Sequence, residues 1–588
     1  MNAVFSCDFN GAQDVYGPIQ GYGREERVNR GEQTHMFGIE DWDDINHLCP
    51  NYGFDQENTL HTGVLLPKDQ DNLFSDFSML DDFQFNMGFP PIQPSQEFAV
   101  LHSVLTEKPD LVENKRVDNP CPISLTSFEL LNNCTKRLKR LKGERLNELR
   151  NKTKATNVDN DGRLSTEEII RVACARFIQF STKNDDDLTV VTNDQFGCSV
   201  PSLTDEEIRD VELAQLLLAS AESVSNKQFD LASKLLTQCD YLSSSTGSPV
   251  QRLVYYFSEA LQERIDRETG RIPSRVLEGK RNQHLDIEEA MMVPTPELLA
   301  CHQTLPFSRL LQLSGTQALI DNVATAKKVH LIDLGIRIGM QGTVLIHALA
   351  TRHQCPIEHL KITAVGILSQ KIEDTGKRLE SFAEAMNLPF TFKVVFISDM
   401  KDLKEELFDI EADEAIAVYS PVSLRMMIRR PDHLESLMRV IKNLNPCIMV
   451  VTEIEGNHNS PSFVNRFIET LFFYSAFFDC FEACMDDQNN QNRITTERIH
   501  CGQGISNIVA MEGEERTIRH VGIDKWRKFF KRFGMVETEL SQSSLYQANL
   551  ILKQVACWSS CTLDMNGKCL IVGWKGTPIN SVSAWKFH

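Results

Sequence analysis

Apolar residues in the second half of the chain fall into short runs separated by longer amphipathic stretches. Five runs rich in Val, Ile and Leu are predicted strands, at 329–334, 361–367, 392–397, 415–419 and 447–453. The stretches between them, including 374–386 and 431–443, repeat apolar residues at helical spacing. Strands that are apolar on both faces and alternate with helices predict an α/β fold, with a mostly parallel sheet covered by helices on both sides.

Before this alternating region, leucines recur at helical spacing. Thr204 and Glu207 predict a capping box that begins the first of these helices. The leucines assigned to a partner or dimer helix are Leu213, Leu216, Leu217, Leu231, Leu235 and Leu236. Such a stripe buries against another helix, and its spacing does not distinguish a helical cap within the chain from contact with a second subunit.

The first strand of the alternating region leads into a glycine-rich turn, DLGIRIG. Asp333 follows the apolar run, Gly335 and Gly339 come next, and a helix is predicted from Val344 to Leu349. Units of this kind place ligands at the carboxyl end of the strand. Glycines let a ligand approach the backbone there, and the helix N-terminus offers unpaired N–H groups. We therefore predict that any ligand site would form beside Asp333.

This turn resembles the first motif of the class I methyltransferases, which holds S-adenosylmethionine. Asp333, Gly335 and Gly339 match that motif, whereas Arg337 stands where it has another glycine. The next strand ends in GIL at 366–368 instead of the carboxylate that would hold the ribose hydroxyls. The pattern predicts a Rossmann-like, methyltransferase-like scaffold without a cofactor. An S-adenosylmethionine-dependent methyltransferase-like enzyme is the alternative.

A polar block after the fifth strand contains Glu453, Glu455, Asn457, His458 and Asn459, which invites a catalytic or metal-binding interpretation. Ligands packed this closely along one segment seldom converge on one ion, and no second histidine follows at i+4. We interpret the block as a polar loop that caps a helix beginning near residue 462, and we predict no catalytic or metal-binding residue.

The C-terminal part of the chain carries two further patterns. Trp526, Phe529, Phe530 and Phe533 share one helical stripe, and Lys and Arg residues occupy the other face. Stacking on nucleic-acid bases needs exposed rings, so this pattern favours a core-facing helix whose basic side contacts solvent or phosphate. Farther on, apolar runs flanking Asn566-Gly567 predict an antiparallel hairpin, with positive φ at both turn positions, and a last strand follows at 581–587.

The N-terminal residues 1–160 differ in composition from the rest. Up to about residue 120, acidic residues outnumber basic ones and bulky residues are scattered without a period. This predicts a disordered acidic arm, either docking on a partner as activation domains do or remaining a solvated tail.

A basic run at 136–154 closes the arm. The residues assigned to nuclear import or phosphate contact are Lys136, Arg137, Lys139, Arg140 and Lys142. Leucines between them fall at helical intervals, so an amphipathic helix with a solvated basic face is the alternative. The segment 157–168 fits a calcium-binding EF-hand loop, while Ser165 and Glu168 within it equally form a capping box.

Composition narrows the classes of function. The chain has 588 residues, a formal net charge of −20 and 16 cysteines. That charge argues against coating nucleic acid with the whole surface, so any such contact is local or made through a partner. The cysteines include no CxxC pair, which favours reduced thiols over a zinc site. No secretory signal and no apolar run of about 18 residues is present, so no membrane contact is predicted.

Several segments together resemble the GRAS family of plant transcriptional regulators. The VHIID motif is represented by Val329, His330, Leu331, Ile332 and Asp333. The leucine-rich stretches, the segment NHNSPSFVNRF at 457–467 and YSAFFD at 474–479 resemble further family blocks. The C-terminal SAW motif is represented by Trp574, Ser583, Ala584 and Trp585.

The resemblance covers residues 165–588 and implies a GRAS domain at 161–588. Within it, we expect a helical cap and leucine-rich region at 161–310 and an α/β core at 311–588. The family implies a nuclear protein that pairs with other GRAS proteins as a homodimer or heterodimer. It also implies action through DNA-binding transcription factors and possible contact with promoter DNA. The arm has no DELLA sequence, so the hormone-receptor docking of the DELLA subgroup is not implied.

Overall fold

The computed structural model describes residues 163–182, 203–271, 296–366, 370–397, 399–485, 490–555 and 557–588. The predicted acidic arm, its basic run at 136–154 and the first half of the EF-hand-like segment, 157–162, lie outside these residues.

One sheet of nine strands forms the centre of the described chain. Its strands are β1 (Lys328–Asp333), β2 (His359–Gly366), β3 (Phe390–Phe396), β4 (Ala415–Pro421), β5 (Ile448–Ile454), β6 (Met535–Thr538), β7 (Cys561–Asn566), β8 (Cys569–Trp574) and β9 (Thr577–Phe587). The order is β3-β2-β1-β4-β5-β9-β8-β7, and β6 pairs with β9. β1 to β5 are parallel, whereas β9 runs antiparallel to β5. The predicted fold class, a mostly parallel α/β sheet with a C-terminal antiparallel hairpin, is confirmed.

The helices form two groups around this sheet. Before β1 the chain forms α1 (Thr166–Thr182), α2 (Asp205–Ser225), α3 (Phe229–Leu242), α4 (Pro249–Glu268), α5 (Pro296–Thr304) and α6 (Pro306–Asn322). Between the strands lie α7 (Met340–Ala350), α8 (Gln370–Ala385), α9 (Pro431–Leu444), α10 (Phe463–Cys484), α11 (Asn490–Thr496), α12 (Gln503–Ala510), α13 (Ile523–Arg532) and α14 (Gln542–Leu552). A π-helical turn, Glu497–Gly502, joins α11 to α12.

The helical cap draws on two separate parts of the chain. The α2, α3 and α4 helices pack together, α4 also packs against α12, and α1 packs against α10. Buried Arg252 on α4 donates from Nε to Glu497 Oε1 at 3.1 Å, and Arg264 donates from Nη1 to Glu512 Oε1 at 2.8 Å. The sequence-based division placed the cap at 161–310. In the structure α10 and α12, which come later in the chain, also pack against α4, and the π-helical turn and the segment after α12 supply the Glu497 and Glu512 carboxylates that pair with these guanidinium groups.

Both predicted capping boxes are confirmed. Thr204 and Glu207 cap α2 reciprocally. At α1, the Ser165 backbone N–H donates to Glu168 Oε2 at 2.8 Å, and the Glu168 N–H donates to Ser165 Oγ at 3.3 Å. Glu168 is the twelfth position of the EF-hand-like segment. In this structure its carboxylate caps the N-terminus of α1.

The C-terminal hairpin differs from its prediction in the turn. β7 and β8 pair as expected, with Asn566 opposite Cys569. Of the described residues around the turn, Gly567 alone has a positive φ, +60°. The central residues are therefore Gly567 and Lys568, and a glycine in the first central position is typical of a type II′ turn. The positive φ predicted for Asn566 is wrong.

None of the helices in the described ranges is long and apolar enough to cross a membrane. Within the same ranges, no group of three His, Cys, Asp or Glu side chains is arranged to hold a metal ion.

The SAW tryptophan Trp585 provides a stability test of the sheet. Its ring is 2% exposed and lies 4.6 Å from the ring of Phe530 on α13, centroid to centroid. We expect Trp585→Ala to lower the free energy of unfolding by about 3–5 kcal/mol, because it empties a packed site between helix and sheet. Urea denaturation followed by circular dichroism measures the change. Trp558→Ala is the matched control, since Trp558 is 41% exposed, and an equal loss in both variants would contradict this packing role.

Candidate functional site

The carboxylate of Asp333 lies at the carboxyl end of β1, fully buried. Oδ1 accepts from the Gly335 N–H at 2.9 Å, and Oδ2 accepts from Gln341 Nε2 at 3.0 Å. Burial raises the pKa of this carboxyl to about 6, while the two hydrogen bonds and the nearby charge of Arg337 oppose the rise. Both carboxylate oxygens of Asp333 therefore accept hydrogen bonds from this chain, one from the glycine turn and one from the first turn of α7.

Neighbouring elements pack closely against the glycine turn. A Cβ added at Gly335 would lie 3.2 Å from Pro421 Cγ at the end of β4. At Gly339, whose φ is +78°, it would lie 2.6 Å from Cγ2 of Thr375 on α8. Thr375 Oγ1 also donates to the Arg337 carbonyl at 3.0 Å. These glycines are needed for packing inside the protein, whatever ligand the turn does or does not hold.

A cavity of about 310 Å³ lies between this edge of the sheet and the surrounding helices. The sheet contributes the turn after β1 and the ends of β4 and β5, and the helices contribute residues of α5, α6, α10 and the π-helical turn. Most lining side chains are apolar or aromatic. Arg337 and Arg425 line it, and no aspartate or glutamate is found among the described residues of the lining. The cavity is therefore bordered by positive charge.

A second buried carboxylate, Glu453 near the end of β5, lies behind this lining. Its Oε1 accepts from the backbone N–H groups of Leu424 at 2.9 Å and Arg425 at 3.3 Å. Burial raises its pKa to about 7, against the opposing charge of Arg425. Glu453 thus caps the short 3₁₀ helix Leu424–Met427, and this contact accounts for its position without a catalytic role.

The histidine of the polar block belongs to a buried hydrogen-bonded chain. Arg425 Nη1 donates to His520 Nε2 at 3.0 Å, and His520 Nδ1 lies 2.7 Å from His458 Nδ1. Arginine only donates, so His520 carries its proton on Nδ1 and donates it to His458. Burial and these two neighbours hold the pKa of His520 well below its usual range. The helix after the block, α10, begins near residue 462 as predicted, but its cap is Ser462, which accepts from the Asn465 N–H at 3.4 Å, and not a residue of the block.

The VHIID residues are all buried, and most of them build the sheet. Val329, Leu331 and Ile332 lie in the core. His330 Nδ1 lies 3.2 Å from Glu414 Oε2, and its Nε2 lies 2.7 Å from Thr363 Oγ1. Burial and the charge of Lys361 lower the pKa of His330 to about 4, so the ring is neutral and donates from Nδ1 to the carboxylate. Of the motif, Asp333 alone reaches the turn beside the cavity.

The SAW residues fasten the last strands to the sheet and to α10. Trp574 Nε1 donates to Asp479 Oδ2 at 2.7 Å. Trp585 Nε1 donates to Ser583 Oγ at 2.9 Å, and that hydroxyl donates to the Val451 carbonyl of β5 at 3.3 Å. Ala584 pairs with Val450 in the same ladder.

Most of the leucines assigned to a partner or dimer helix are buried within the chain. The buried ones are Leu213, Leu216, Leu217, Leu235 and Leu236. Leu231 on α3 is 46% exposed, so it is the member of this set that a second subunit could reach directly. The other five pack among α2, α3 and α4 as an intrachain cap.

The aromatic and basic helix α13 faces the core with its rings, as predicted. Trp526, Phe529 and Phe530 are buried, and Phe533 at the C-cap is half-buried. Lys528, Lys531 and Arg532 are exposed on the other side. Burial excludes base stacking on Trp526, Phe529 and Phe530.

The cavity contains residues that the sequence did not single out. They include Tyr419 on β4, Phe473 and Phe477 on α10, His500 in the π-helical turn and His520 before α13, which are four separate parts of the chain. The dense aromatic run of α10 was the one sequence feature that pointed to these walls. Periodicity assigns such a run to the core, so the sequence does not show which of its rings face a cavity.

Comparison with known proteins agrees with this architecture. The model of the GRAS domain family matches residues 213–586. The DELLA protein RGL1 of Arabidopsis thaliana is 31% identical over 387 residues, which are 65% of this chain and 71% of that protein. The DELLA protein GAI1 of Vitis vinifera is 29% identical over 389 residues, 65% of this chain and 63% of that protein. The crystal structure of SCL7 from Oryza sativa superposes with a TM-score of 0.56 at 26% identity, covering 64% of this chain and 99% of that one. The chain belongs to the GRAS domain family.

Proposed function

We propose that this chain is a nuclear transcriptional regulator without enzymatic activity. It acts through DNA-binding transcription factors and other GRAS proteins, as a homodimer or heterodimer, with no membrane partner. Its relation to DELLA proteins supports a regulatory role. With a formal net charge of −20, its contact with promoter DNA is local, for example through the exposed cations of α13, or made by its partners.

The observation that carries this proposal is the state of the glycine turn. S-adenosylmethionine has a cationic sulfonium and a cationic amino group against one carboxylate, so a site for it needs exposed acidic groups. Here the acid at the end of β1, Asp333, is bound by Gly335 and Gln341, and Arg337 lines the adjoining cavity. Like charges in a low-dielectric cavity repel, which argues against the methyltransferase-like alternative.

Titration with S-adenosylmethionine tests the non-enzymatic part. We expect the full chain to release no saturable heat in isothermal titration up to about 1 mM cofactor, because Arg337 repels a cationic ligand. A dissociation constant of that size corresponds to a binding free energy of only about 4 kcal/mol. Asp333→Ala is the companion variant. Micromolar binding by the unchanged chain that disappears in Asp333→Ala would establish the enzyme alternative instead.

Nuclear import is tested on the basic run. Replacing Lys136, Arg137, Lys139, Arg140 and Lys142 together with Gln should abolish nuclear accumulation of a fluorescently tagged full chain, because import signals depend on clustered positive charge. Confocal imaging gives the ratio of nuclear to cytoplasmic fluorescence. The control variant replaces exposed Lys404, Arg439 and Lys442 with Gln, removing charge outside the run. An unchanged ratio in the first variant would refute the assignment.

Promoter occupancy separates a transcriptional regulator from a plain interaction scaffold. Chromatin immunoprecipitation of the tagged full chain should enrich defined promoter regions above a tagged protein of similar charge. Enrichment should persist when Lys528, Lys531 and Arg532 are replaced with Gln if partners bring the chain to DNA, and fall if the α13 face contacts phosphate. Background recovery at every locus would leave the scaffold function as the correct one.

A further inference from the structure

The cavity at the sheet edge lies where open α/β sheets bind ligands. The strand order reverses between β1 and β4, and the turn after β1 and the end of β4 both border the cavity. Its volume of about 310 Å³ falls at the lower end of the range for small-molecule pockets. The π-helical turn contributes His500 and Cys501 to the lining, and such turns are frequent at functional sites. The position and the size of this cavity therefore suit one compact molecule.

The charges beside the cavity are balanced within the chain. Arg337 acts on the buried carboxylate of Asp333, and opposes the rise in its pKa that burial causes. Arg425 acts in the same way on the buried carboxylate of Glu453. Two guanidinium groups in the lining thus stand against two carboxylates behind it. A ligand with a charge of its own would leave water without gaining a new partner for that charge, so the cavity favours a neutral ligand.

Most of the wall is apolar and aromatic. Tyr419 on β4 and Phe473 and Phe477 on α10 contribute rings, and Leu311 and Ile518 contribute aliphatic side chains. The rings of Phe473 and Phe477 stand one helical turn apart, with their centroids separated by 5.1 Å. Placing an apolar ligand body against such walls is favourable because it removes apolar surface from water.

One buried hydroxyl in the lining has no hydrogen-bond partner. Thr496, the last residue of α11, is 2% exposed, and among the described residues of the lining it alone has a buried side-chain polar atom left unpaired. Buried hydroxyls on other helices donate to the carbonyl four residues earlier, as Ser314 does to Leu310 and Thr470 to Arg466. A hydroxyl that can donate and accept is therefore left for a group inside the cavity.

We propose that this cavity binds a compact, neutral, apolar molecule that carries one hydroxyl group, and that this hydroxyl forms a hydrogen bond with the hydroxyl of Thr496. The apolar body then lies against the aromatic wall of β4 and α10. An unpaired buried hydroxyl is costly, so a ligand hydroxyl that pairs with it favours binding. The inference does not rest on the regulatory function proposed above, because it assigns a ligand class to the cavity whatever the chain does in the nucleus.

Three probes with one ring system test the ligand class: 2-naphthol, 2-methylnaphthalene and 2-naphthoic acid. Equilibrium dialysis against the full chain near pH 8 gives each dissociation constant, with the free probe quantified by its absorbance. At this pH the acid is ionised and 2-naphthol is almost entirely neutral. 2-Naphthol should bind saturably and the acid about tenfold or more weakly, because its charge finds no new partner. Saturable binding by none of the probes, or an acid that binds as tightly as 2-naphthol, would overturn the proposal.

Two variants locate the hydrogen bond. Thr496→Val keeps the shape and removes the hydroxyl, so it should weaken 2-naphthol about fivefold or more and leave 2-methylnaphthalene, which has no hydroxyl, unchanged. Thr496→Ser retains a hydroxyl and should retain the affinity for 2-naphthol. An equal affinity for 2-naphthol in Thr496→Val and in the unchanged chain would contradict this assignment.

Thermal unfolding without a probe gives a second measurement on the same variant. Because the hydroxyl has no partner in the protein, Thr496→Val should unfold at the temperature of the unchanged chain or above it. A lower unfolding temperature would show that the protein itself pairs this hydroxyl, and would refute the proposal.

A variant at the opening tests whether the probes bind in this cavity. Ser308 lines the cavity and is exposed, so Ser308→Trp places a ring at the rim outside the core. It should abolish binding of 2-naphthol and 2-methylnaphthalene while the unfolding temperature stays that of the unchanged chain. Ser559→Trp, at an exposed serine outside the lining, is the matched control and should change neither affinity. Undiminished binding in Ser308→Trp would place the probes elsewhere on the protein and rule out this site.

Discussion

The hydrogen bonds from Gly335 and Gln341 to the carboxylate of Asp333 fix the conformation of the turn at the carboxyl end of β1. A buried carboxylate is costly unless its oxygens are paired, and here donors from the turn and from α7 supply the pairing within ten residues of sequence. The turn is therefore fixed by the chain itself. Pro421 and Thr375 then pack against its glycines, so the backbone that a nucleotide would approach is in contact with protein.

The same principle explains why acidic residues stand at strand ends in this protein. Glu453 near the end of β5 accepts from the N–H groups of Leu424 and Arg425, and Glu455 accepts from the Ile523 N–H at the start of α13. Each of these carboxylates caps the start of a helical segment, where the first N–H groups have no partner within the helix. An acid at these positions is thus required by the fold, and its presence beside a cavity is weak support for catalysis.

Sequence patterns predicted the parallel half of the fold closely and the rest only in part. β1, β2, β4 and β5 are largely buried on both faces, and β3 at the sheet edge is half-buried, so their apolar runs are nearly continuous and stand out. Helix α6 was not predicted, because it contacts β5, β9, α7 and α14 and is buried on most sides, which erases the amphipathic period. β6 has four residues, too few for a recognisable alternation, and the insertion of β9 between β5 and β8 is a long-range pairing that no local pattern contains. The cavity was anticipated only at Asp333 and Arg337 for the same reason, since its walls come from segments brought together by folding.

Arg337 places a positive charge on the turn after β1, beside the cavity. The charges of Arg337 and Arg425 act on the two buried carboxylates nearby: Arg337 opposes the rise in the pKa of Asp333 that burial causes, and Arg425 does the same for Glu453. Desolvated guanidinium groups next to apolar walls are expensive to maintain, and arginine tolerates such sites better than lysine because it is weakly hydrated and stays charged. One arginine on the turn changes the charge beside the cavity without changing the sheet, so the fold alone does not predict a ligand.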